Sequence, residues 1–316
     1  MGTSLFHSGE IELQSRVGAN VREQIEAFSQ RAIRAFMPEQ HRTFFAQLPF
    51  MVAGVVDAQG RPWASLLSGL PGFVSTPTDR QIRVTAPMPI AKPLKEGLQA
   101  NAPIGMLGIE LGTRRRNRAN GRISAADNQA LLVDVQQSFG NCPKYIQTRN
   151  VRWRQGAVEP RYEAMDTLTD EALRLISASD MFFVATYVDD LDDTGGQQRM
   201  VDVSHRGGKP GFVRRLADGR LEVPDFVGNY MFCTLGNMLR NPVAGLVFPD
   251  FESGDLLHIS GDTELLWDGP EATQYAGAVR AWRLRPQQAF WLREALPFSA
   301  SDPGYSSFLA DLGPWP

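Results

Sequence analysis

Pro71-Gly72-Phe73-Val74 returns later in the chain as Pro210-Gly211-Phe212-Val213, and the echo extends well beyond four residues. Downstream of the first copy come Asn101-Ala102-Pro103-Ile104-Gly105 and then Asn120-Gly121. Downstream of the second come Asn241-Pro242-Val243-Ala244-Gly245 and then Ser260-Gly261. Order and spacing hold to within a residue. A repeat of such long period describes two similar domains packed together, not a solenoid of short units. It places any functional site between the copies, or in whichever copy kept the chemistry.

Each copy reads as a run of short strands. Phe50-Met51-Val52-Ala53-Gly54-Val55-Val56 is a buried strand, Asp57-Ala58-Gln59-Gly60 a hairpin signal, and residues 61–67 the return strand. Residues 81–85 and 104–109 supply two more. The second copy keeps the order with residues 182–188, a loop over 189–196, then 200–205, 220–223, 244–248 and 256–259. Short strands punctuated by Gly, Pro and Asp predict a small antiparallel barrel per copy.

Helices are expected at residues 19–36, where Val21, Ile25, Phe28, Ala32, Ile33 and Phe36 recur at helical steps, and at 39–47. Both are expected to pack on the first copy. Residues 124–139 read as a connecting helix behind Ser124-Ala125-Ala126-Asp127; Gly140 would end it and Pro143 would open another. A further helix covers 169–176. The expected class is a mainly β (α+β) fold. It divides into a helical segment 1–43, a first repeat 44–150 with its connecting helix, and a second repeat 151–316.

With 316 residues, 43% of them hydrophobic and 21% charged, the chain can bury two sizeable cores. A net charge of −3 gives no general pull toward nucleic acid or an anionic membrane. Cys142 and Cys233 are the only cysteines and show no CxxC or Cys/His zinc spacing, which fits a reducing compartment. The first residues lack a basic, then apolar, leader pattern, and no apolar run approaches the ~20 residues that span a bilayer. The expectation is a cytoplasmic protein without nucleic-acid or membrane partners.

Ser204-His205-Arg206-Gly207-Gly208 sets a hydroxyl, an imidazole and a guanidinium at a strand end, with glycines that let backbone approach a ligand. It reads as an anion cradle or as a polar hairpin end. Asn229, in Gly228-Asn229-Tyr230 ahead of a helix through Met238, reads as a cap, a ligand contact, or both. The run Arg114-Arg115-Arg116-Asn117-Arg118 is a solvated loop or a basic loop beside an anion, and Lys144 is a surface lysine or one that reaches a phosphate. His258 reads as a satisfied core or surface histidine, and Cys142 as structural; no metal site is assigned. The first copy carries Ser65-Leu66-Leu67-Ser68-Gly69 where the second has its cations, and Pro87 and Pro89 remove N–H donors there. It is expected to lack a full phosphate site. GxSxG, Walker A and strand-following GxGxxG patterns are missing, which disfavours hydrolase, NTPase and Rossmann readings.

The second copy resembles the FMN-binding split-barrel family related to pyridoxamine 5′-phosphate oxidase. The resemblance rests on the stretch from Asp202 through Ser204-His205-Arg206-Gly207-Gly208-Lys209 to Val213, and on Val223-Pro224-Asp225 and Gly228-Asn229-Tyr230. Leu235-Gly236-Asn237, Phe248-Pro249-Asp250-Phe251 and the linker-like Phe139-Gly140-Asn141-Cys142-Pro143-Lys144-Tyr145-Ile146 extend it. It implies two tandem split β-barrels with flanking helices, paired as an internal pseudo-dimer with FMN at the seam. Ser204, His205, Arg206, Lys209, Pro224, Asp225, Asn229 and Tyr230 would contact the cofactor from the second barrel, and Arg116, Asn117 and Lys144 from the first. It further implies an oxidoreductase of a small molecule, with NAD(P)H or a reductase as electron source and pairing of whole chains as a possible homodimer; no catalytic residue is assigned. A non-catalytic flavin or electron-transfer module, and a split barrel binding haem or a deazaflavin, are the alternatives. The tail around Phe290-Trp291-Leu292-Arg293 lacks the family's Arg/His substrate motif, so vitamin B6 is not the expected substrate.

Overall fold

A computed structural model describes residues 4–156, 159–191 and 197–316. The first copy folds into strands β1 (Phe50–Val56), β2 (Pro62–Ser68), β3 (Val74–Thr78), β4 (Gln81–Thr85), β5 (Pro103–Glu110), β6 (Arg115–Ala126) and β7 (Ala130–Gly140). They form one sheet in the order β2-β1-β5-β6-β7-β4-β3. After β8 (Thr148–Trp153) and β9 (Arg161–Met165), the second copy supplies β10 (Met181–Leu191), β11 (Gln197–Gly207), β12 (Arg214–Arg215), β13 (Leu221–Asp225), β14 (Val243–Pro249), β15 (Leu256–Leu266) and β16 (Arg280–Arg293). Their order is β11-β10-β14-β15-β16-β13-β12, the first sheet's order position for position. β9 extends this sheet beside β16, and β17 (Phe298–Gly304) pairs with β8. The fold is mainly β: two tandem split barrels flanked by helices α1 (Ser8–Val17), α2 (Ala19–Ala32), α3 (Glu39–Ala46), α4 (Lys92–Gly97), α5 (Asp170–Ala178) and α6 (Cys233–Arg240). No helix among the described residues is long and apolar enough to cross a membrane.

The repeated Pro-Gly-Phe-Val is the turn that ties each barrel to its entering helix. Gly72 and Gly211 sit at φ +97° and +85°, where a side chain is strained. Each donates its N–H to the end of the preceding helix, Gly72 to Ala46 and Gly211 to Ser177, both at 2.7 Å. The Phe73 and Phe212 N–H groups close the turns on Leu70 and Lys209, both at 2.9 Å.

The barrels meet through backbone. A Cβ added at Gly105 on β5 would lie 2.7 Å from the Val201 carbonyl oxygen of β11. One added at Gly245, the matching residue of β14, would overlap the Pro62 carbonyl of β2. One apolar core runs through this seam, joining Val52, Phe50 and Leu107 of the first copy to Phe183, Val203 and Phe298 of the second half. A second core, around Phe182, Val184, Leu246 and Trp282, fills the second barrel alone.

Several sequence expectations are corrected. Residues 124–139 are not a helix but most of the β6–β7 hairpin. Asp127 accepts N–H bonds from Gln129 (2.7 Å) and Ala130 (2.8 Å) to close its turn, so the residues read as a helix cap are hairpin-turn chemistry. Burial alternates along β7, with Leu131, Val133 and Val135 inside and Asp134 and Gln136 outside, a period of two. Pro143 opens no helix; the chain turns there. The helix expected over 19–36 ends at Ala32, and α1 precedes it across Gly18. Strand β10 runs on to Leu191 through part of the expected loop, and residues 192–196 lie outside the described residues.

The N-terminal helices do not all pack on the first copy. α1 docks on α6 of the second, where Gly9 and Gly236 let the two backbones touch. Arg240 secures it with hydrogen bonds to the Ser8 carbonyl (3.1 Å) and the Glu12 carboxylate (2.8 Å). Docking buries Glu10, whose carboxyl is pushed up to about 8, chiefly by burial and next by the Asp202 charge.

Two measurements test this frame. Gly245→Ala should lower unfolding stability by roughly 1–3 kcal/mol, because overpacking meets backbone that cannot yield. Gly112→Ala, in open space, should change it by under ~0.5 kcal/mol. The second concerns pH. The folded chain keeps the Glu10 proton up to about pH 8, whereas the unfolded chain releases it near 4.5. The folded state therefore holds the extra proton between those values, and raising the pH across that window draws stability away. Glu10→Gln should gain stability relative to wild type between pH 5 and pH 9 in urea titrations; a pH-independent difference would remove Glu10 as the cause.

Candidate functional site

The seam has two equivalent corners, and only one is open. At that corner β11 ends in Ser204-His205-Arg206, β13 ends in Pro224-Asp225, and α6 begins at Cys233. From the first copy, β6 brings Arg116 and Arg118, one strand period apart and both in the cleft wall. The turn after β7 adds Asn141, Cys142, Lys144 and Tyr145. The cleft spans about 960 Å³ of non-atom space, part of it open solvent.

Arg118 is the residue that crosses the seam. It is 4% exposed and donates to Asp202 Oδ1 (3.0 Å), the Val203 carbonyl (3.1 Å) and Ser204 Oγ. Arg116 donates through Nε to the Cys142 carbonyl at 2.8 Å. Burial, then the Arg118 and Arg206 charges, holds its guanidinium below the usual arginine range. Asp225 stands between Arg206 and Arg280, 3.7 Å from each. Its carboxylate positions two cations and would repel an anion, so its part in the site is to aim arginines. Arg280 also lies over the Phe232 and Trp267 rings at 4.9 and 4.3 Å.

Burial, helped by Arg116, Arg206 and Arg149, holds His205 well below the usual histidine range, so its imidazole is neutral at neutral pH. Among the described residues its Nε2 has no hydrogen-bond partner. Arg118 Nε, Arg206 Nε, Arg280 Nη1 and Asn141 Oδ1, all buried in this wall, have none either. Burial chiefly raises the Cys233 thiol, which stays protonated. Tyr145 packs on Phe226 at 5.2 Å and donates its hydroxyl to the Val227 carbonyl at 2.9 Å, giving the cleft a flat aromatic side. Tyr230 and Phe232 hold φ of +57° and +62°, two left-handed non-glycine residues at the mouth of the site.

The cleft brings together Ser204, His205, Arg206, Pro224, Asp225, Asn229, Tyr230, Arg116 and Lys144. Asn229 does not cap α6, which starts at Cys233 behind Phe232; its Oδ1 accepts the Met231 N–H at 3.2 Å in the turn before it. Lys144 lies 5.0 Å over the Phe308 ring. Two expected residues are elsewhere. Lys209 donates to the Ala310 (3.2 Å) and Leu312 (2.7 Å) carbonyls and pins the C-terminal tail, so it is not a cleft residue. Asn117 is buried outside the cleft, because a strand turns alternate residues to opposite faces. The sequence reading carries Arg118 only as part of the basic run 114–118, not among the cofactor contacts, and misses Arg280. Reading 114–118 as a strand instead of a loop pairs Arg116 with Arg118; the sequence around Arg280 offers no comparable signal.

The other corner is closed. Aligned on the shared turn and on Gly105 and Gly245, Leu66 and Leu67 stand for His205 and Arg206, Ala86 for Asp225, and Leu256 for Arg116. All four are buried in the seam core. His258 takes the place of Arg118 and, like it, reaches the opposite copy's serine, with Nε2 3.1 Å from Ser65 Oγ. Its Nδ1 donates to the Leu256 carbonyl at 3.2 Å, so Nε2 accepts the Ser65 hydroxyl. Burial pushes this imidazole down to about 3, as befits a fully satisfied core histidine.

No family model matches the chain, and no curated protein does. Solved structures do. HupZ of Group A Streptococcus is 17% identical, covering 39% of this chain and 92% of its own, with a TM-score of 0.30. A candidate pyridoxamine 5′-phosphate oxidase of Lactobacillus delbrueckii is 16% identical over 40% of this chain and 98% of its own, TM-score 0.30. An F420 reductase is 11% identical over 32% and 95%, TM-score 0.23.

Proposed function

We propose that this chain is an FMN-binding flavoprotein that acts as an oxidoreductase on a small molecule, with one flavin in the open corner of the seam. The observation that carries the reading is the surplus of buried cationic donors there. Arg116, Arg118, Arg206, Arg280 and Lys144 face one cleft lined by the Asp225 carboxylate, with Asp202 answering Arg118 from behind it, and three of its buried guanidinium nitrogens lack partners among the described residues. Unmet buried donors are costly unless a ligand answers them. A phosphate dianion answers several, and the Tyr145–Phe226 wall suits a flat ring. The sequence likeness of the Ser204–Lys209 stretch to FMN-binding split barrels agrees.

Arg116, Arg118, Arg206 and Arg280 would hold the phosphate, with the Ser204 hydroxyl beside them. Bound FMN supplies hydride and electron transfer, fed by NAD(P)H or a reductase, while the protein fixes the ring and excludes water. One observation favours a second reading: the neutral, unpartnered His205 Nε2 is the kind of atom that ligates haem iron. The absorbance of purified protein separates the two, by flavin peaks or a Soret band.

FMN should bind more tightly than riboflavin and saturate at one equivalent per chain, because leucines fill the mirror corner. Arg206→Ala and Arg118→Ala should each weaken FMN binding by roughly 1.5–3 kcal/mol. Lys209→Ala, which touches only the tail, should not. Equal affinity for riboflavin, or a second equivalent of similar affinity, would sink the assignment.

A further inference from the structure

A second cavity lies behind the cleft, and Cys233 is a wall of both. It encloses about 900 Å³, part of it open to solvent, between α1 and the seam strands. Phe6, Phe139 and Ile104 give it apolar sides. His7 is only 8% exposed. Its Nδ1 accepts the Gly9 N–H at 3.1 Å, which leaves the ring proton on Nε2; Nε2 stands 3.5 Å from Glu10 Oε2 and has no hydrogen-bond partner among the described residues. Asn120 spends its amide N–H on Asp202 at 2.7 Å, and its buried Oδ1 is likewise unpartnered. The cavity thus offers a buried unmet donor and a buried unmet acceptor beside an apolar side, with Gln136, Gln137 and Gln198 also along its lining.

Charge narrows the class of occupant. The Asp202 carboxylate is answered by Arg118 at 3.0 Å and by Asn120. Glu10, beside it, keeps its proton at neutral pH. Arg199 is held by Asp189 at 2.7 Å. Among the described residues that line the cavity, an ammonium finds no free carboxylate and a carboxylate finds no free cation.

We propose that this cavity binds a small, uncharged, largely apolar molecule that carries a hydrogen-bond acceptor beside a donor, as a carboxamide does. The acceptor meets His7 Nε2–H and the donor meets Asn120 Oδ1. The site stands on its own residues and does not depend on the cofactor reading. Its place one side chain from the cleft makes the occupant a neighbour of whatever the cleft holds.

The test uses the intact chain at pH 7 with benzamide, benzylamine and benzoate as probes, followed by calorimetry. Benzamide should bind at one equivalent and about tenfold more tightly than either charged probe, the ratio set by one ordinary hydrogen bond. Gln137→Trp, which fills the cavity from its half-exposed rim, should abolish binding. His7→Phe should weaken it about tenfold. Because His7 also caps α1, the Gln137 variant decides if the His7 variant fails to fold. No benzamide binding at millimolar concentration, tighter binding of benzylamine, or binding that survives Gln137→Trp would each overturn the proposal. FMN is titrated separately. A chain that takes benzamide but no FMN keeps this site and loses the flavin reading. One that takes FMN but no benzamide keeps the flavin and loses this site.

Discussion

The structure depends on the meeting of Gly105 with β11 and of Gly245 with β2. At both places backbone faces backbone, and any side chain would hold the sheets apart. This approach lets Arg118 and His258 reach across to the opposite copy's serine. It also lets one apolar core run through both halves of the chain. The halves are therefore not separate domains on a linker. Each barrel contributes residues that the other needs in order to complete a corner of the seam.

From that shared frame the two corners diverge, by changes that can be named. Trp63, Leu66, Leu67 and Leu256 occupy one corner; Asp202, His205, Arg206 and Arg116 occupy the other. The aromatic beneath the crossing residue is kept on both sides. Arg118 lies 5.3 Å over Phe139, and His258 stacks on Phe290 at 4.5 Å. Buried apolar surface stabilises at roughly 25 cal/mol per Å², so the closed corner strengthens the seam. The open corner, with guanidinium groups crowded together and nitrogens unmet, works against it. A fold that concentrates stability in one corner can keep a strained, charged cleft in the other.

The repeat, the strands between 50 and 109 except β3, and most of those between 182 and 259 were legible because continuous apolar runs and hairpin turns are written locally. The β6–β7 hairpin was not. Its strands carry Arg, Asn, Asp and Gln on their outward faces, and Ser124-Ala125-Ala126-Asp127 imitates a helix start. That misreading carried into the site. Taken as a loop, residues 114–118 gave no reason to prefer Arg118 over Asn117, although strand alternation sends the two to opposite faces. Lys209 failed for another reason. It follows Arg206-Gly207-Gly208 in sequence, but the turn at Gly211 swings it toward the tail, where the Ala310 and Leu312 carbonyls hold it. Arg280 was hidden because its partner Asp225 is 55 residues away in sequence and adjacent only through the β13–β16 pairing.

The N-terminal helix ties these threads together. The start of α6 lines the cleft, and two left-handed residues, Tyr230 and Phe232, lead the chain into it. Such a segment keeps its shape only if something outside it fixes both ends. One end is fixed within the second barrel, where Asn237 donates to Thr186 Oγ1 at 3.1 Å. The other is fixed by α1, through the Gly9–Gly236 contact and through Gln14, which donates to the Met231 carbonyl at 3.4 Å. Glu10 enters from the same helix and sits against the Cys233 and Asp202 side of the Arg118 network. A helix that belongs to neither repeat thus sets the geometry at the corner where the copies differ most. The seam creates two equivalent places for a site. The leucines close one, and α1 braces the other.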